Sequence, residues 1–275
     1  MNIVVCNTKG GAGKTTISLN VLPLLIKTKI EDEEIAYYQL DDNNKIILNS
    51  NNVKIKTYKI NEANEVLDEI MLENLTNPEK ANIVDCGGGN DTKIVIKNLA
   101  ENRIEDNIFI IPLNQNLSVR HNVIDTINLI KENFKNAKII LIANNVFDVN
   151  NIQKEFLSIF GDEDFDIEPL NLKELNVKNI GIVPFIPFLQ VIEAKKEILL
   201  DKYNEAKEIL KDEKIATKKF AEKLDKELKE GKITKEEMKQ KFSEFRNIVR
   251  NAKRITAAAE KIIEVNQDIL EDLTK

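Results

Sequence analysis

Short apolar runs alternate with amphipathic stretches of helical period from Asn2 to about Phe188. Strands covered on both faces read as nearly continuous apolar runs, whereas helices repeat their apolar positions every three to four residues. This alternation is typical of repeated β-α-β units. It predicts an α/β fold with a mostly parallel, twisted sheet and helices on both of its faces.

The pattern predicts six strands, five helices between them, and one hairpin. The strands are Ile3 to Cys6, Ile35 to Tyr38, Ile83 to Asp85, Ile108 to Pro112, Ile139 to Ala143 and Ile180 to Val183. The helices are Lys14 to Lys27, Asn61 to Leu75, Thr92 to Glu101, Ser118 to Phe134 and Ile152 to Phe160. A hairpin is predicted at Lys45 to Ile60, because the runs KIIL and VKIKTYKI flank the turn-forming run NSNN.

Strand patterns stop after Pro187, and the remaining chain reads as long helices with one break near Gly231. Thr234 and Glu237 have the spacing of a capping box, in which each side chain satisfies an exposed backbone N–H. We therefore predict two parts: a domain at residues 1–190, and a helical extension at 191–275 that forms a hairpin.

Beyond the break, apolar positions recur at spacings of three and four, which predicts one long helix with a buried stripe. The positions are Phe245, Ile248, Ala252, Ile255, Ala259, Ile262, Asn266, Ile269 and Leu273, widened by Val249, Ile263 and Leu270. Such a broad stripe favours packing within the chain, and a dimerising coiled coil is the alternative.

The run KGGAGKTT at Lys9 to Thr16 directly follows a short apolar strand and directly precedes a helix. Small residues at Gly10, Gly11, Ala12 and Gly13 expose successive backbone N–H groups that can surround phosphate oxygens. In such a loop Lys14 reaches the β- and γ-phosphates, Thr15 contributes its hydroxyl to Mg²⁺, and Thr16 supports the α-phosphate. The sequence therefore predicts a P-loop ATPase that uses ATP and Mg²⁺.

The loop departs from the generic pattern because Thr8 stands where a glycine is usual and Lys9 opens the loop. This two-lysine form resembles the deviant Walker A motif of the ParA/MinD superfamily of dimeric ATPases. Further segments are similar to that family: IVDCGGG at Ile83, IFIIPLNQNLSVRHNVIDTINLIK at Ile108, IILIANNV at Ile139, and IGIVPFIPFLQVIEAK at Ile180. The resemblance covers residues 1 to about 200.

The resemblance implies roles for further residues. Asp85 would hold a Mg²⁺-bound water, Gly87 would offer a backbone donor near the γ-phosphate, and Asn144 or Asn145 would contact adenine. Lys9 would cross the interface of a homodimer formed on ATP binding and contact the partner's nucleotide. A cation delivered in this way offsets the charge that develops during phosphoryl transfer.

The segment after the second predicted strand departs from the family pattern. The family usually shows D-x-D there, whereas this chain shows Gln39-Leu40-Asp41. By the resemblance Asp41 would orient the attacking water, and Gln39 puts the hydrolysis rate in doubt. The run Asp41-Asp42-Asn43-Asn44 also has the composition of an ordinary acidic turn.

Composition and charge restrict the partners. The chain of 275 residues is 42% hydrophobic and has a net charge of -6, yet residues 214–254 contain 14 Lys or Arg against 7 Asp or Glu. This basic block is a candidate surface for phosphate groups, or an ordinary solvated helix face.

No apolar window approaches the length of a membrane span, and the thiols of Cys6 and Cys86 are expected to be reduced and buried. A cytoplasmic location is expected.

The combined interpretation is a ParA-like switch ATPase in plasmid or DNA segregation, associated with the nucleoid or plasmid. Its expected partners are a second copy of the chain, non-specific DNA, and a small DNA-binding adaptor of the ParB kind. Two alternatives stay open: an accessory ATPase of plasmid stability or conjugative transfer, and a MinD-like positioning ATPase. The second would need a basic amphipathic tail, and the run KIIEVNQDILEDLTK is acidic on its polar face.

Overall fold

The computed structural model describes residues 1–31, 34–42, 47–77, 80–104 and 106–273. Seven strands form one sheet in the order β3-β2-β4-β1-β5-β6-β7, and every neighbouring pair is parallel. The strands are β1 (Asn2–Val5), β2 (Ile35–Leu40), β3 (Val53–Tyr58), β4 (Ala81–Cys86), β5 (Asn107–Leu113), β6 (Lys138–Val146) and β7 (Val177–Pro184). The predicted α/β fold with a parallel sheet is confirmed.

Helices cover both faces of the sheet. They are α1 (Lys14–Thr16), α2 (Leu22–Lys29), α3 (Ala63–Thr76), α4 (Asn90–Glu101), α5 (Val119–Asn133), α6 (Ile152–Glu155), α7 (Leu157–Phe160), α8 (Pro187–Ala194), α9 (Leu199–Lys211), α10 (Glu213–Lys229), α11 (Lys235–Glu264) and α12 (Gln267–Leu273). A π-helical segment, Ile17–Val21, joins α1 to α2, so the helical run after the loop is continuous.

Two apolar layers lie on opposite faces of the sheet because side chains alternate along each strand. On one face, Val4 and Phe109 pack with residues of α3, α4 and α5 such as Val66, Val95 and Val123. The other face packs against α2, α8, α9, α11 and α12. The central strand β1 is thus buried from both sides, and its carboxyl end leads into the glycine-rich loop.

The predicted hairpin at Lys45 to Ile60 is wrong in the part that the structure describes. Residues 47–50 form no strand, and β3 pairs with β2 in parallel register, from Ile35 opposite Val53 to Leu40 opposite Tyr58. Lys45 and Ile46 lie outside the described residues. The run VKIKTYKI therefore supplies one parallel edge strand rather than the second arm of a hairpin.

The C-terminal helices form part of the layer that covers the sheet. Ala252, Ile255, Ala259 and Ile262 of α11 are buried in the same core as the strands, as are the apolar residues of α12. Ile248 was predicted in this stripe, but it is 52% exposed, whereas Val249, which was predicted to widen the stripe, is buried. The division of the chain into two domains at residue 190 stays a prediction.

Helices α10 and α11 run antiparallel, and the ring of Phe220 stacks on that of Phe245 with centroids 4.6 Å apart. In α10 the one buried residue is Leu224, and in α11 the buried residues begin at Val249. The part of the hairpin around the turn at Gly231 therefore packs mainly on itself. Within the described chain, no helix combines the length and apolar character that crossing a membrane requires.

Candidate functional site

The loop at residues 9–13 connects the end of β1 to the start of α1 at the middle of the sheet. Gly11 and Gly13 have φ angles of +75° and +91°, which L side chains rarely adopt. At Gly13 a Cβ atom would also lie 1.9 Å from Nδ2 of Asn144. Backbone conformation and space both require glycine here, and the loop has the shape of a P-loop.

The start of the loop is fixed by the buried side chain of Asn7. Its amide nitrogen donates to the carbonyl of Pro112 at 2.8 Å, and its oxygen accepts the backbone N–H of Lys9 at 2.9 Å. On the same side, the backbone N–H of Thr8 donates to the hydroxyl of Thr126 at 3.2 Å. These contacts tie the loop to β5 and α5.

Two lysines lie at opposite positions of the loop. Lys14 is buried, and its ammonium donates to the carbonyl of Lys9 at 3.2 Å, so it curves back over the loop. The ammonium of Lys9 points away and donates to the hydroxyl of Ser118, just before α5, at 2.6 Å. The ammonium of Lys14 therefore lies toward the interior of the loop, whereas that of Lys9 lies on its outer surface.

Asp85 lies at the end of β4, next to β1, and is buried. Its Oδ2 atom accepts hydrogen bonds from the hydroxyl of Thr15 at 2.9 Å and from that of Tyr37 at 2.8 Å. Its Oδ1 atom is buried without a hydrogen-bond partner in the described structure. Burial raises the pKa of Asp85 to about 6, although the bonds from Tyr37 and Thr15 and the charge of Lys14 oppose this rise.

The residues present fit a Mg²⁺ ion. Magnesium takes few protein ligands and completes its shell with water and phosphate oxygens, and this site provides one hydroxyl and one carboxylate. A buried acceptor without a partner is costly, so Oδ1 of Asp85 is well suited to accept from a metal-bound water. Among the described residues no group of three or more His, Cys, Asp or Glu could hold a metal by itself.

The glycines after β4 touch the loop directly. The backbone N–H of Gly89 donates to the carbonyl of Thr8 at 3.0 Å, and a Cβ on Gly88 would lie 3.2 Å from the nitrogen of Gly10. The N–H of Gly87 donates to the carbonyl of Leu40 at 2.7 Å, and a Cβ there would overlap the carboxylate of Asp91. Gly87 to Gly89 thus join the ends of β2 and β1.

Asp41 follows β2, and its N–H donates to the carbonyl of Tyr58 at 3.4 Å. The pKa of Asp91 is raised, first by burial and then by the charges of Asp42 and Asp41, which places all three carboxylates in one region. Gln39 is buried opposite Asp85 in the parallel register of β2 and β4. Asn43 and Asn44 lie outside the described residues.

The two asparagines predicted to contact adenine differ in their surroundings. Asn144 is buried against Gly13, and its Oδ1 atom has no hydrogen-bond partner in the described structure. Asn145 is exposed, has a φ of +61°, and its carbonyl accepts from the side chain of Gln115 at 2.7 Å. Its neighbourhood includes Phe147 and Phe185, whose rings lie 4.6 Å apart.

A pocket of about 320 Å³ opens beside Thr15 and Thr16. Its opposite wall includes the end of α8, where the exposed carboxylate of Glu193 accepts a hydrogen bond from the hydroxyl of Thr16 at 2.6 Å. Thr16 is the residue predicted to support the α-phosphate. The pocket therefore extends from the start of α1 to the end of α8.

The sequence interpretation missed Tyr37, Asp91, Ser118 and Glu193. Ser118, Glu193 and Asp91 lie in segments whose sequence was noted, IFIIPLNQNLSVRHNVIDTINLIK, IGIVPFIPFLQVIEAK and DCGGGND, but their contacts depend on the order of the strands and were not predicted. A weak signal existed for Tyr37, because it is two residues before Gln39 on the same face of β2. The thiols of Cys6 and Cys86, in contrast, are free and buried, as the sequence predicted.

No protein-family model matches the chain, and comparison with curated proteins gives no match. Among solved structures, the chain is similar to the "Crystal structure of LAO/AO transport system kinase". The sequence identity is 14%, the match covers 90% of this chain and 82% of that chain, and the TM-score is 0.32. At this level of similarity the assignment of the fold rests on the strand order and loop geometry described above.

Proposed function

We propose that the chain is an ATP-dependent switch ATPase of the ParA type that works as a nucleotide-bound dimer. The observation that carries the proposal is the loop Lys9 to Thr16 at the carboxyl end of β1, with Thr15 hydrogen-bonded to Asp85 and Lys14 curved over the loop. Backbone donors, one interior lysine and a hydroxyl–carboxylate pair are the parts that phosphoryl transfer from a nucleotide requires.

In this proposal each residue has a defined task. The N–H groups of the loop and the ammonium of Lys14 bind the phosphates. The N–H of Gly87 donates to the carbonyl of Leu40 in the described structure and would have to leave it to reach the γ-phosphate. Mg²⁺, when bound, would neutralise charge on the β- and γ-phosphates. Thr15 would hold the ion directly, and Asp85 would hold it through a water from which the carboxylate accepts a hydrogen bond. Asp41 orients the attacking water, with Asp91 close by as a second carboxylate.

A dimer is supported by the position of Lys9. Its ammonium lies on the outer surface of the loop, near Ser118, and does not enter the interior of its own phosphate site. A lysine in that place can contact a nucleotide on a facing copy of the chain. ATP would then favour the dimer and hydrolysis would release it, because only the triphosphate would bridge the two copies.

Binding to non-specific DNA is supported by one face of α11. Lys235, Lys239, Arg246, Arg250 and Lys253 follow one another at intervals of four, seven, four and three residues. At 3.6 residues per turn these cations lie on one side of the helix and extend along about 27 Å. The acidic residues of the same stretch, Glu236, Glu237 and Glu244, lie outside that side. We call the five cations the basic stripe.

The basic stripe differs from the lysines of α10. Lys218, Lys223, Lys226 and Lys229 each lie within 4 Å of a carboxylate one turn away on α10. In the stripe Lys253 pairs with Glu213, while Lys235, Lys239 and Arg246 make no ion pair within the described residues. Unpaired cations spaced along one line favour a polyanion as their partner.

The biological role that we propose is plasmid or DNA segregation at the nucleoid or plasmid, together with a small adaptor protein. An accessory ATPase of plasmid stability or transfer is the second candidate, favoured by Gln39 and by the sequence DCGGGND. A MinD-like membrane cycle is less favoured. The apolar residues Ile269, Leu270 and Leu273 of α12 are buried in the core of the chain, so they are occupied in the folded protein.

Titration of the purified chain with a fluorescent ATP analogue, with and without Mg²⁺, tests the nucleotide site. We expect saturable binding that Mg²⁺ strengthens, and we expect Lys14→Ala to abolish it because, among the described residues, Lys14 is the cation that reaches the interior of the loop. Lys27→Ala removes a lysine from the far end of the same helical run and serves as the control. Equal binding by wild type and Lys14→Ala would refute the assignment of the loop.

A further inference from the structure

Tyr37 connects β2 to the predicted metal site. Its ring is fully buried, and its hydroxyl donates to Oδ2 of Asp85 at 2.8 Å. Burial and the negative charge of Asp85 both raise the pKa of the phenol well above its usual value, so the hydroxyl keeps its proton and acts as a donor. The bond is made from the neighbouring strand, since β2 pairs with β4.

This bond limits the orientation of the Asp85 carboxylate. Oδ2 accepts two hydrogen bonds, from Thr15 and from Tyr37, whereas Oδ1 has no partner in the described structure. Rotation of the carboxylate by half a turn would break both bonds. Without Tyr37, the carboxylate of Asp85 would be held only by the hydrogen bond from Thr15, which is an exposed residue. Tyr37 is the buried and therefore better-fixed donor of the two.

We propose that Tyr37 is a positioning residue for the metal site: it holds Oδ2 of Asp85 so that Oδ1 faces the water of a nucleotide-bound Mg²⁺. The proposal rests on the nucleotide site proposed above and adds a residue on β2 to it. Partners that orient a metal-site group in this way typically contribute 10- to 100-fold to metal affinity. Because β2 leads directly to Asp41, the same strand then supports both the metal site and the water-orienting carboxylate.

The test compares Tyr37→Phe with wild type in nucleotide affinity measured with Mg²⁺ and with EDTA. The ratio of the two affinities reports on the metal site alone. In EDTA we expect Tyr37→Phe to bind the nucleotide with the affinity of wild type. The factor by which Mg²⁺ raises that affinity should be about tenfold smaller in Tyr37→Phe than in wild type. A hydroxyl that merely stabilises the fold would lower both affinities together or neither.

Tyr38→Phe is a matched control. Tyr38 is the next residue of β2, is also fully buried, and its hydroxyl donates to a carboxylate, that of Glu73, at 2.6 Å. Its side chain packs in the layer on the opposite face of the sheet from Tyr37. We expect Tyr38→Phe to keep the full response to Mg²⁺, whatever its effect on thermal stability.

A second measurement does not require the Tyr37 variant to fold. The chain contains 4 Tyr and no Trp, so its near-ultraviolet difference spectrum reports on tyrosines. Adding Mg²⁺ to the nucleotide complex should give a tyrosine signal in wild type that persists in Tyr38→Phe, Tyr58→Phe and Tyr203→Phe. Loss of that signal in one of these three, or an unchanged Mg²⁺ response in Tyr37→Phe, would overturn the role of Tyr37. Nucleotide binding that never responds to Mg²⁺, even in wild type, would refute the metal site itself.

Discussion

The ammonium of Lys9 donates a hydrogen bond to the hydroxyl of Ser118 at 2.6 Å, which fixes the first lysine of the loop against the start of α5 of its own chain. In the dimer that we propose, Lys9 would have to give up this contact in order to reach the partner's nucleotide. Because the bond is on the exposed surface, where hydrogen bonds contribute little net stability, its loss costs little.

For Lys9→Ala we expect normal ATP binding without ATP-dependent dimerisation, and hydrolysis lowered by roughly 10³-fold, as for loss of a cation delivered in trans. Light scattering with ATP and Mg²⁺, followed by a phosphate-release assay, measures both effects. Ser118→Ala is the control, because it frees Lys9 without removing it and should dimerise at least as well as wild type. A wild-type chain that stays monomeric with ATP would count against the dimer.

Asp41→Ala should bind ATP and stay dimeric while losing most of its turnover, since water orientation is removed and the phosphate loop is intact. Single-turnover hydrolysis measured beside nucleotide affinity separates these effects. Asp42→Ala removes the same charge one residue further on and should retain turnover. If Asp41→Ala hydrolyses ATP normally, the water-orienting role moves to Asp91, which lies in the same acidic region.

Neutralising Lys235, Lys239, Arg246 and Arg250 together should weaken binding to non-specific duplex DNA and flatten its dependence on salt. Each lost phosphate contact reduces the slope of log affinity against log salt by about 0.9. The control neutralises Lys218, Lys223, Lys226 and Lys229, which removes the same charge from lysines paired with carboxylates on α10. Equal slopes for the two variants would mean that the basic stripe does not contact DNA.

Two isoleucines of α11 test how the long helix packs. Ile262 is fully buried, and Ile262→Ala should lower the free energy of unfolding by about 2–5 kcal/mol. Ile248 is 52% exposed, and Ile248→Ala should change the free energy of unfolding by no more than about 0.5 kcal/mol. Urea denaturation of both variants measures the difference. A large cost at Ile248 would show that this side chain is covered in solution, as in a dimerising coiled coil.

Periodicity and one motif predicted most of the fold. The loop, the strand before it and the helix after it are consecutive in sequence, so a local sequence pattern was enough to predict all three. The contact between Tyr37 and Asp85 depends instead on β2 lying beside β4, and the contact of Thr16 with Glu193 joins residues 177 positions apart. Such relationships follow from the order of strands, which residue spacing does not encode.

The errors have similar causes. The predicted hairpin failed because a β-type run gives no information on the direction of its partner, and β3 pairs with β2 in parallel. Ile248 was assigned to the buried stripe from its spacing, and at 3.6 residues per turn it does lie on the same side of α11 as Ile255 and Ala259. It is nevertheless 52% exposed, because the layer that covers this side of the helix begins only at Val249, and residue spacing does not show where such a layer ends.

Helix α11 is one uninterrupted helix of 30 residues that packs in the sheet layer from Val249 onward and against α10 over the turns before it. At 1.5 Å per residue this outer part is about 20 Å long. The inner end of α11 also contacts α2, which belongs to the loop's own helical run. A small tilt of that inner end would become a larger displacement at the outer tip of the hairpin. A change at the phosphate loop could thereby be transmitted mechanically to the basic stripe.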